Sequence, residues 1–278
     1  MSNWQPGQRV YTPGGWPEGS IKFLLGDIDG PMDLFSALPG LLSPLNWLYY
    51  APVSVAVLGS TALLAGWLRL KKGVKVNYTR KIFHISNFTF AAAAYLYGGT
   101  VAVLFFGGMG IGAMLVSILL PDGNILLEGI AREQDAPHRR FYIVVPFIAT
   151  AVAGVVDSWL IPQLAVVGYL VSGWGDAAGE PVGTRWGRHR YKVKALWGVA
   201  CTRSVEGSIG VFLASWVAAF VGLQIARIDW LWAVPISLAA AAAAAFVEAV
   251  SSHGLDNLTV QMAAAFTAYG LVVAGGLV

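Results

Sequence analysis

The stretch FYIVVPFIATAVAGVVDSWL, residues 141–160, holds one charged side chain in twenty residues and no alternation of polar and apolar positions. A helix needs about 20 apolar residues to cross a bilayer, and inside the hydrocarbon it must satisfy all its own backbone hydrogen bonds. The stretch therefore predicts a transmembrane α-helix. A barrel strand is excluded, because it would alternate apolar and polar residues. Segments of the same character occupy 47–70, 82–98, 100–120, 161–178, 208–226 and 229–250, which makes seven spans, and 257–278 would make an eighth. The 161–178 and 257–278 segments carry glycines or polar residues and read as half-buried.

Composition agrees with this pattern. Of 278 residues, 56% are hydrophobic and 12% charged, where a soluble domain carries about a quarter charged residues. The expected fold class is all-α, a polytopic transmembrane helical bundle of seven to eight spans. Residues 46–278 would form one transmembrane domain, preceded by an outer interfacial segment over 1–45, rich in Gly and Pro with Trp4, Trp16, Phe23 and Phe35. With one cysteine, Cys201, no intramolecular disulfide or thiolate metal cage can form. The first 45 residues lack the basic start and short apolar core of a cleavable signal, so insertion is assigned to the first span.

Charge placement orients the bundle. Fourteen of the 18 basic residues fall in three segments, 71–81, 121–140 and 179–203, and these lie on one side of the expected spans. The opposite loops contain only Arg227. The positive-inside rule then puts the three basic loops in the cytoplasm and the N-terminus outside. The net charge of +3 reads as membrane orientation and a phosphate-bearing ligand, with no nucleic acid.

Four polar clusters stand at the cytoplasmic ends of these spans. In RKIFHISNF, 80–88, Arg80 and His84 are four apart and share a helix face. Arg80 can fork onto a phosphate, Lys81 adds a point charge and His84 can relay a proton. Simple interfacial anchoring with a packed histidine is the bland alternative. In GDAAGEPVGTRWGRHRYKVK, 175–194, Gly175, Gly179, Gly183 and Gly187 recur every four residues, and so do Asp176 and Glu180. A bare glycine face admits a nucleotide or another helix, and two carboxylates beside it suit Mg²⁺. Lys192 and Lys194, in the basic run after it, add charge for phosphates. TRSVEGS, 202–208, offers Thr202 or Ser204 as a helix cap, with Arg203, Gly207 and a third carboxylate, Glu206. VEAVSSHGLDNLTV, 247–260, supplies Glu248, His253, Asp256 and Asn257. Glu128 and His138 read as solvated loop residues. Asp157 lies at the outer end of its span and is left out. P-loop, GxSxG and HExxH signatures are absent.

In this order the clusters resemble the polyprenol kinase family, which includes dolichol, phytol and farnesol kinases, over residues 75–275. Arg80, Lys81 and His84 match its Arg-Lys-x-x-His element. Gly175, Asp176, Gly179, Gly183 and Gly187 match its Gly-Asp element and following basic loop. Residues 203–208 match a Lys-Ser-x-Glu-Gly-(Ser/Thr) element with Arg203 in place of Lys, and Glu248, Asp256 and Asn257 match a late Glu plus Asp-Asn element. The resemblance implies a membrane-embedded kinase with its active site toward the cytoplasm. It would use a nucleoside triphosphate, commonly CTP, and Mg²⁺ to phosphorylate a long isoprenoid alcohol among membrane lipids. It assigns catalytic roles to Asp176, His84, Arg80 and Lys81, with Asp176 or His84 as base. Gly175, Gly179, Gly183, Gly187, Lys192, Lys194, Arg203, Ser204, Gly207 and Asn257 would bind nucleotide. Asp176, Glu180, Glu206, Glu248 and Asp256 are the metal candidates. Two other readings remain: a CTP-dependent phosphatidate cytidylyltransferase, whose Asp-rich signature with its Pro-Lys-Arg start is missing here, and a transporter, disfavoured because the charges crowd one interface.

Overall fold

The structure, a computed structural model, describes residues 37–193, 201–252 and 254–277. Most of the expected interfacial segment, together with Lys194 and His253, lies outside those residues. The described chain is almost wholly helical, and six of its helices are long and apolar enough to cross a membrane. They are α1 (Pro44–Lys72), α2 (Val76–Leu119), α3 (Phe141–Leu160), α6 (Val205–Ile225), α7 (Trp230–Val250) and α8 (Asp256–Ala274). Between α3 and α6 the chain runs through α4 (Ala165–Leu170), a π-helical turn at Val171–Gly175 and α5 (Asp176–Trp186).

Helix α2 has 44 residues, roughly 66 Å at 1.5 Å per residue, about twice the hydrocarbon thickness. It breaks at Gly98 and at Gly99, which has φ 60° and ψ −153°, a conformation open mainly to glycine. Past the break the chain doubles back: Phe90 and Phe106 touch with ring centroids 4.8 Å apart. The two halves correspond to the expected segments 82–98 and 100–120. The first half, however, begins at Val76, so Arg80, Lys81 and His84 lie one to two turns inside the helix instead of at its edge.

The 161–178 segment also differs from expectation. It is an interrupted helix that continues to Trp186 and is wedged between α2 and α6. Its glycines permit the wedge. A Cβ on Gly173 would lie 2.5 Å from the Phe88 Cβ, one on Gly179 would lie 2.7 Å from Val211 Cγ2, and one on Gly175 would overlap the Ser215 hydroxyl. On the other side of the bundle, α6, α7 and α8 approach through fully buried alanines, among them Ala218, Ala240, Ala241, Ala244, Ala264 and Ala268.

One element departs from the all-α plan. Strands β1 (Arg190–Val193) and β2 (Cys201–Ser204) pair antiparallel, with Arg190 opposite Ser204 and Val193 opposite Cys201. The Glu206 carboxylate accepts from the backbone N–H groups of Arg188 (3.1 Å) and His189 (3.3 Å), which ties the approach to β1 to the start of α6.

At the far end of the bundle, Trp47, Tyr49, Tyr97, Trp159, Trp230 and Trp232 are exposed, an aromatic girdle of the kind that sits at a membrane interface. Asp157, expected at an outer helix end, is fully buried and accepts from Gln261 Nε2 at 3.0 Å.

The loop between α2 and α3 is anchored by glycines. A Cβ on Gly66 of α1 would overlap the Ile125 carbonyl oxygen, and one on Gly129 would sit 2.6 Å from the Gly66 nitrogen. Backbone cannot yield as a flexible side chain can. Gly66→Val should therefore lower stability by about 1–3 kcal/mol, read as a fall in Tm in detergent. Gly59→Ala, on the same helix but facing open space, should be neutral or stabilising.

Candidate active site

Two cavities meet inside the basic end of the bundle. The first, about 450 Å³, is walled mostly by polar groups from α2, the 121–140 loop, α5, β1, β2 and the facing ends of α6, α7 and α8. The second, about 320 Å³, is walled almost entirely by apolar side chains of both halves of α2 and of α3. Arg80, His84 and Asn257 belong to both walls.

The polar cavity is held together by ion pairs. Lys81 Nζ lies 2.7 Å from Asp176 Oδ2, and His84 Nε2 lies 3.4 Å from the same oxygen. His84 Nε2 is also 3.0 Å from the Ser172 carbonyl oxygen, which can only accept. The ring proton therefore belongs on Nε2, and Nδ1 is left as the acceptor. The π-helical turn carries Ser172 and delivers Asp176 directly after it. Across the cavity, Arg203 forks between two helices, with Nη1 at 3.1 Å from Glu248 Oε1 of α7 and Nη2 at 3.0 Å from Asp256 Oδ2 of α8. A third arginine, Arg132, grips Asp135 through two bonds of 2.8 and 3.0 Å and reaches Glu180 on α5 at 3.2 Å. Burial works against the charge on Arg132, but Glu180 and Asp135 outweigh it and raise its pKa.

Charges at this depth are costly unless paired. The carboxylates obey that rule, yet the cations outnumber them. Lys75, Arg80, Lys81, Arg132, Arg190 and Arg203 line the cavity against Asp176, Glu180, Glu248 and Asp256. Arg80 makes no hydrogen bond or ion pair among the described residues, although it is partly buried at the junction. A half-buried guanidinium with no ion-pair partner among the described residues, in a wall with surplus positive charge, suits an anionic ligand.

Most of the residues singled out from the sequence converge here. Arg80, Lys81, His84, Asp176, Gly179, Glu180, Gly183, Arg203, Ser204, Gly207, Glu248, Asp256 and Asn257 all line the polar cavity. Ser204 also caps α6, accepting from the Gly207 N–H at 3.0 Å. Four others are placed elsewhere. Gly175 packs on Ser215 and Gly187 on Ser204. Lys192, on β1, is exposed and is not part of the cavity wall. Glu206 binds the His189 side chain at 2.8 Å as well as the backbone ahead of β1. Glu128 pairs with Arg139 at 2.8 Å. Burial pushes its carboxyl up, but Arg139 and the Gly123 N–H hold it below the usual range. His138 is exposed. Cavity residues not singled out beforehand are Lys75, Arg132 and Arg190, which counted only as loop charge, and the polar Asn77, Gln134 and Thr184. Small polar side chains carry little sequence signal, and only Asn77 and Thr184 are bonded to each other (3.2 Å).

For a metal, donor chemistry is the test. No group of three His, Cys, Asp or Glu converges among the described residues, so an all-protein cage is absent. Mg²⁺ ordinarily needs only one or two carboxylates and takes its remaining ligands from phosphate and water. Asp176, Glu248 and Asp256, lining one cavity, fit that demand.

A polytopic helical protein with a cationic cavity and an apolar cavity abutting within the bundle is a membrane protein built to bring a phosphate-bearing ligand to a lipid. Comparison with known proteins gives the family. The phytol kinase of Synechocystis sp. (strain ATCC 27184 / PCC 6803 / Kazusa) is 30% identical over 222 residues, covering 78% of this chain and 89% of that one. The chain belongs to the polyprenol kinase family. No family model matches it, and no solved structure does.

Arg203 provides the check on this electrostatic account. It is 10% exposed and joins Glu248 to Asp256. Arg203→Met leaves two buried carboxylates without that partner and should cost roughly 3–5 kcal/mol. Arg203→Lys keeps the charge but not the fork, so its Tm should fall between the two.

Proposed function

We propose that the protein is a membrane-embedded kinase. It transfers the γ-phosphoryl group of a nucleoside triphosphate, CTP by the family resemblance, to a long-chain isoprenoid alcohol such as phytol, geranylgeraniol, farnesol or a polyprenol. The observation that carries this reading is the shared wall of the two cavities at Arg80, His84 and Asn257. A water-soluble phosphoryl donor and a lipid alcohol need different solvents, and they can react only where those solvents touch.

The lipid chain would lie in the apolar cavity. From Arg80 to Ala91, both in its wall, is roughly 16 Å along the helix, about half the hydrocarbon thickness. Gly107 and Gly108 in the same wall are exposed on the bundle surface, which gives the chain a sideways route to the bilayer. The triphosphate would occupy the polar cavity, neutralised by Arg80, Lys81, Arg190 and Arg203, with its nucleotide end toward Gly179, Gly183 and the start of α6. Asp176, Glu248 and Asp256 are the residues that would hold Mg²⁺, which when bound would supply positive charge to offset that of the phosphates. Phosphoryl transfer requires positioning and electrostatic stabilisation more than covalent chemistry from the protein. The donor's γ-phosphorus would gain a bond to the alcohol oxygen as its bond to the bridging oxygen breaks. The alcohol proton would leave to Nδ1 of His84, the ring atom free to accept, while Lys81 keeps Asp176 charged beside it. By the distribution of basic loops, this end of the bundle faces the cytoplasm and the nucleotide enters from there.

Purified protein incubated with γ-labelled and α-labelled CTP or ATP and a panel of prenols should place γ label, and no α label, in lipid. Label arriving from the α position would replace this reading with cytidylyl transfer. Asp176→Asn should reduce transfer at least 100-fold, the scale on which positioned charges act, in a protein that still folds but with a lowered Tm, because Lys81 loses its buried counter-charge. Near-normal activity in that variant would remove Asp176 from the chemistry.

A further inference from the structure

One polar side chain in the apolar cavity has a group that nothing answers. Asn87 lies on α2 one turn beyond His84, roughly 4.5 Å farther along the axis, and on the same helix face. It is 9% exposed and belongs to the cavity wall. Its Nδ2 donates to the Phe83 carbonyl at 2.7 Å and to Thr61 Oγ1 at 3.3 Å. The short bond to a carbonyl oxygen fixes which end of the amide is nitrogen. The carbonyl end, Oδ1, is buried and has no hydrogen-bond partner among the described residues.

An unmet acceptor in an apolar pocket is costly, and its surroundings give a hydroxyl group the means to offset that cost. The same cavity wall carries Leu58, Phe83, Phe88, Ile143 and Phe147, which have no side-chain donor, while Thr150, Tyr169 and Asn257 in it donate to other groups. The wall residue on its polar side, His84, has its Nε2 proton committed to Ser172. A ligand that answers Asn87 must be apolar along its length and carry one donor, placed beside His84. An alcohol has one such donor.

We infer that Asn87 Oδ1 accepts a hydrogen bond from the hydroxyl of the lipid alcohol and so sets how deeply the chain sits before transfer. This rests on the kinase reading above and adds a substrate-binding residue to it. In the resting complex the hydroxyl hydrogen is turned toward Asn87 and the oxygen lone pairs face the junction at Arg80 and His84; rotation about the C–O bond turns that one hydrogen to His84 Nδ1 for the transfer step. The contact also selects alcohols over hydrocarbons and ethers of the same length, which fill the cavity but leave Oδ1 unmet.

The test uses the full-length protein in detergent with farnesol as substrate and farnesyl methyl ether, which has no donor, as inhibitor. The parent protein should bind the alcohol about tenfold more tightly than the ether, the usual worth of one neutral hydrogen bond. Asn87→Leu should raise the KM for farnesol by that factor, leave the ether Ki and the nucleotide KM within about twofold, and erase the preference. Asn87→Asp keeps an acceptor oxygen and should keep the preference. It also serves if the leucine variant does not fold. An alcohol preference that survives in Asn87→Leu, or equal weakening of alcohol and ether, overturns the inference while the kinase reading stands. A parent protein that phosphorylates no prenol with any nucleotide overturns both.

Discussion

The carboxylates gathered at the basic end of this bundle are answered by cations, and the architecture of the site follows from how that is done. Asp176 is answered by Lys81 from α2, Glu248 and Asp256 by Arg203 from the end of β2, and Glu180 by Arg132 from the 121–140 loop. Each pair crosses between elements far apart in sequence. Together they draw α2, α5, α7, α8, the loop and the hairpin to one end of the bundle. Replacing such pairs by apolar residues often leaves a protein as stable or makes it more so. Their stability contribution therefore does not explain their presence. A cavity that must bind polyanionic phosphate explains it better, because the same cations can turn from carboxylate to ligand.

The second constraint is that one site must serve two solvents. The interrupted helix α4–α5 is central to this. Its π-helical turn places Ser172 against His84 and Asp176 against Lys81, and π-turns of this kind recur at functional sites. Its glycines let it slide between α2 and α6, close enough for Phe88 on one side and Ser215 on the other to touch backbone. The doubled-back α2 meanwhile builds the apolar cavity from both its halves. His84 and Arg80, on the first half, are the only stretch of that helix facing both spaces among the described residues.

Much of this is legible in the sequence, and the remainder fails for identifiable reasons. Apolar runs in lipid must be helical, so the spans could be read directly, including the break at Gly98–Gly99. The i, i+4 spacings of Arg80 with His84 and of Asp176 with Glu180 did place each pair along one helix face. What local spacing cannot show is the partner. Glu180 looks like a twin of Asp176, but the 121–140 loop folds back and gives it Arg132. Glu206 looks like another carboxylate of the same cluster, yet the backbone ahead of β1 captures it. Gly175 and Gly187 continue the period of Gly179 and Gly183, but packing against Ser215 and Ser204 occupies them. Asn87 sits in a run of apolar residues where one amide reads as helix packing, and only the cavity shows that half of it is unanswered. The hairpin escaped because four-residue strands have no periodicity to detect.

The account stands on one spatial claim, that donor and acceptor meet where the two cavities share a wall. An experimental structure with a non-hydrolysable nucleoside triphosphate and a prenol bound together measures it most directly. The account predicts the prenol oxygen in line with the γ-phosphorus and about 3–3.5 Å from it, with Arg80 on the phosphate and the prenyl chain running between the halves of α2 and α3. A prenol bound outside the apolar cavity, or a triphosphate whose γ end points away from Arg80 and His84, would contradict it.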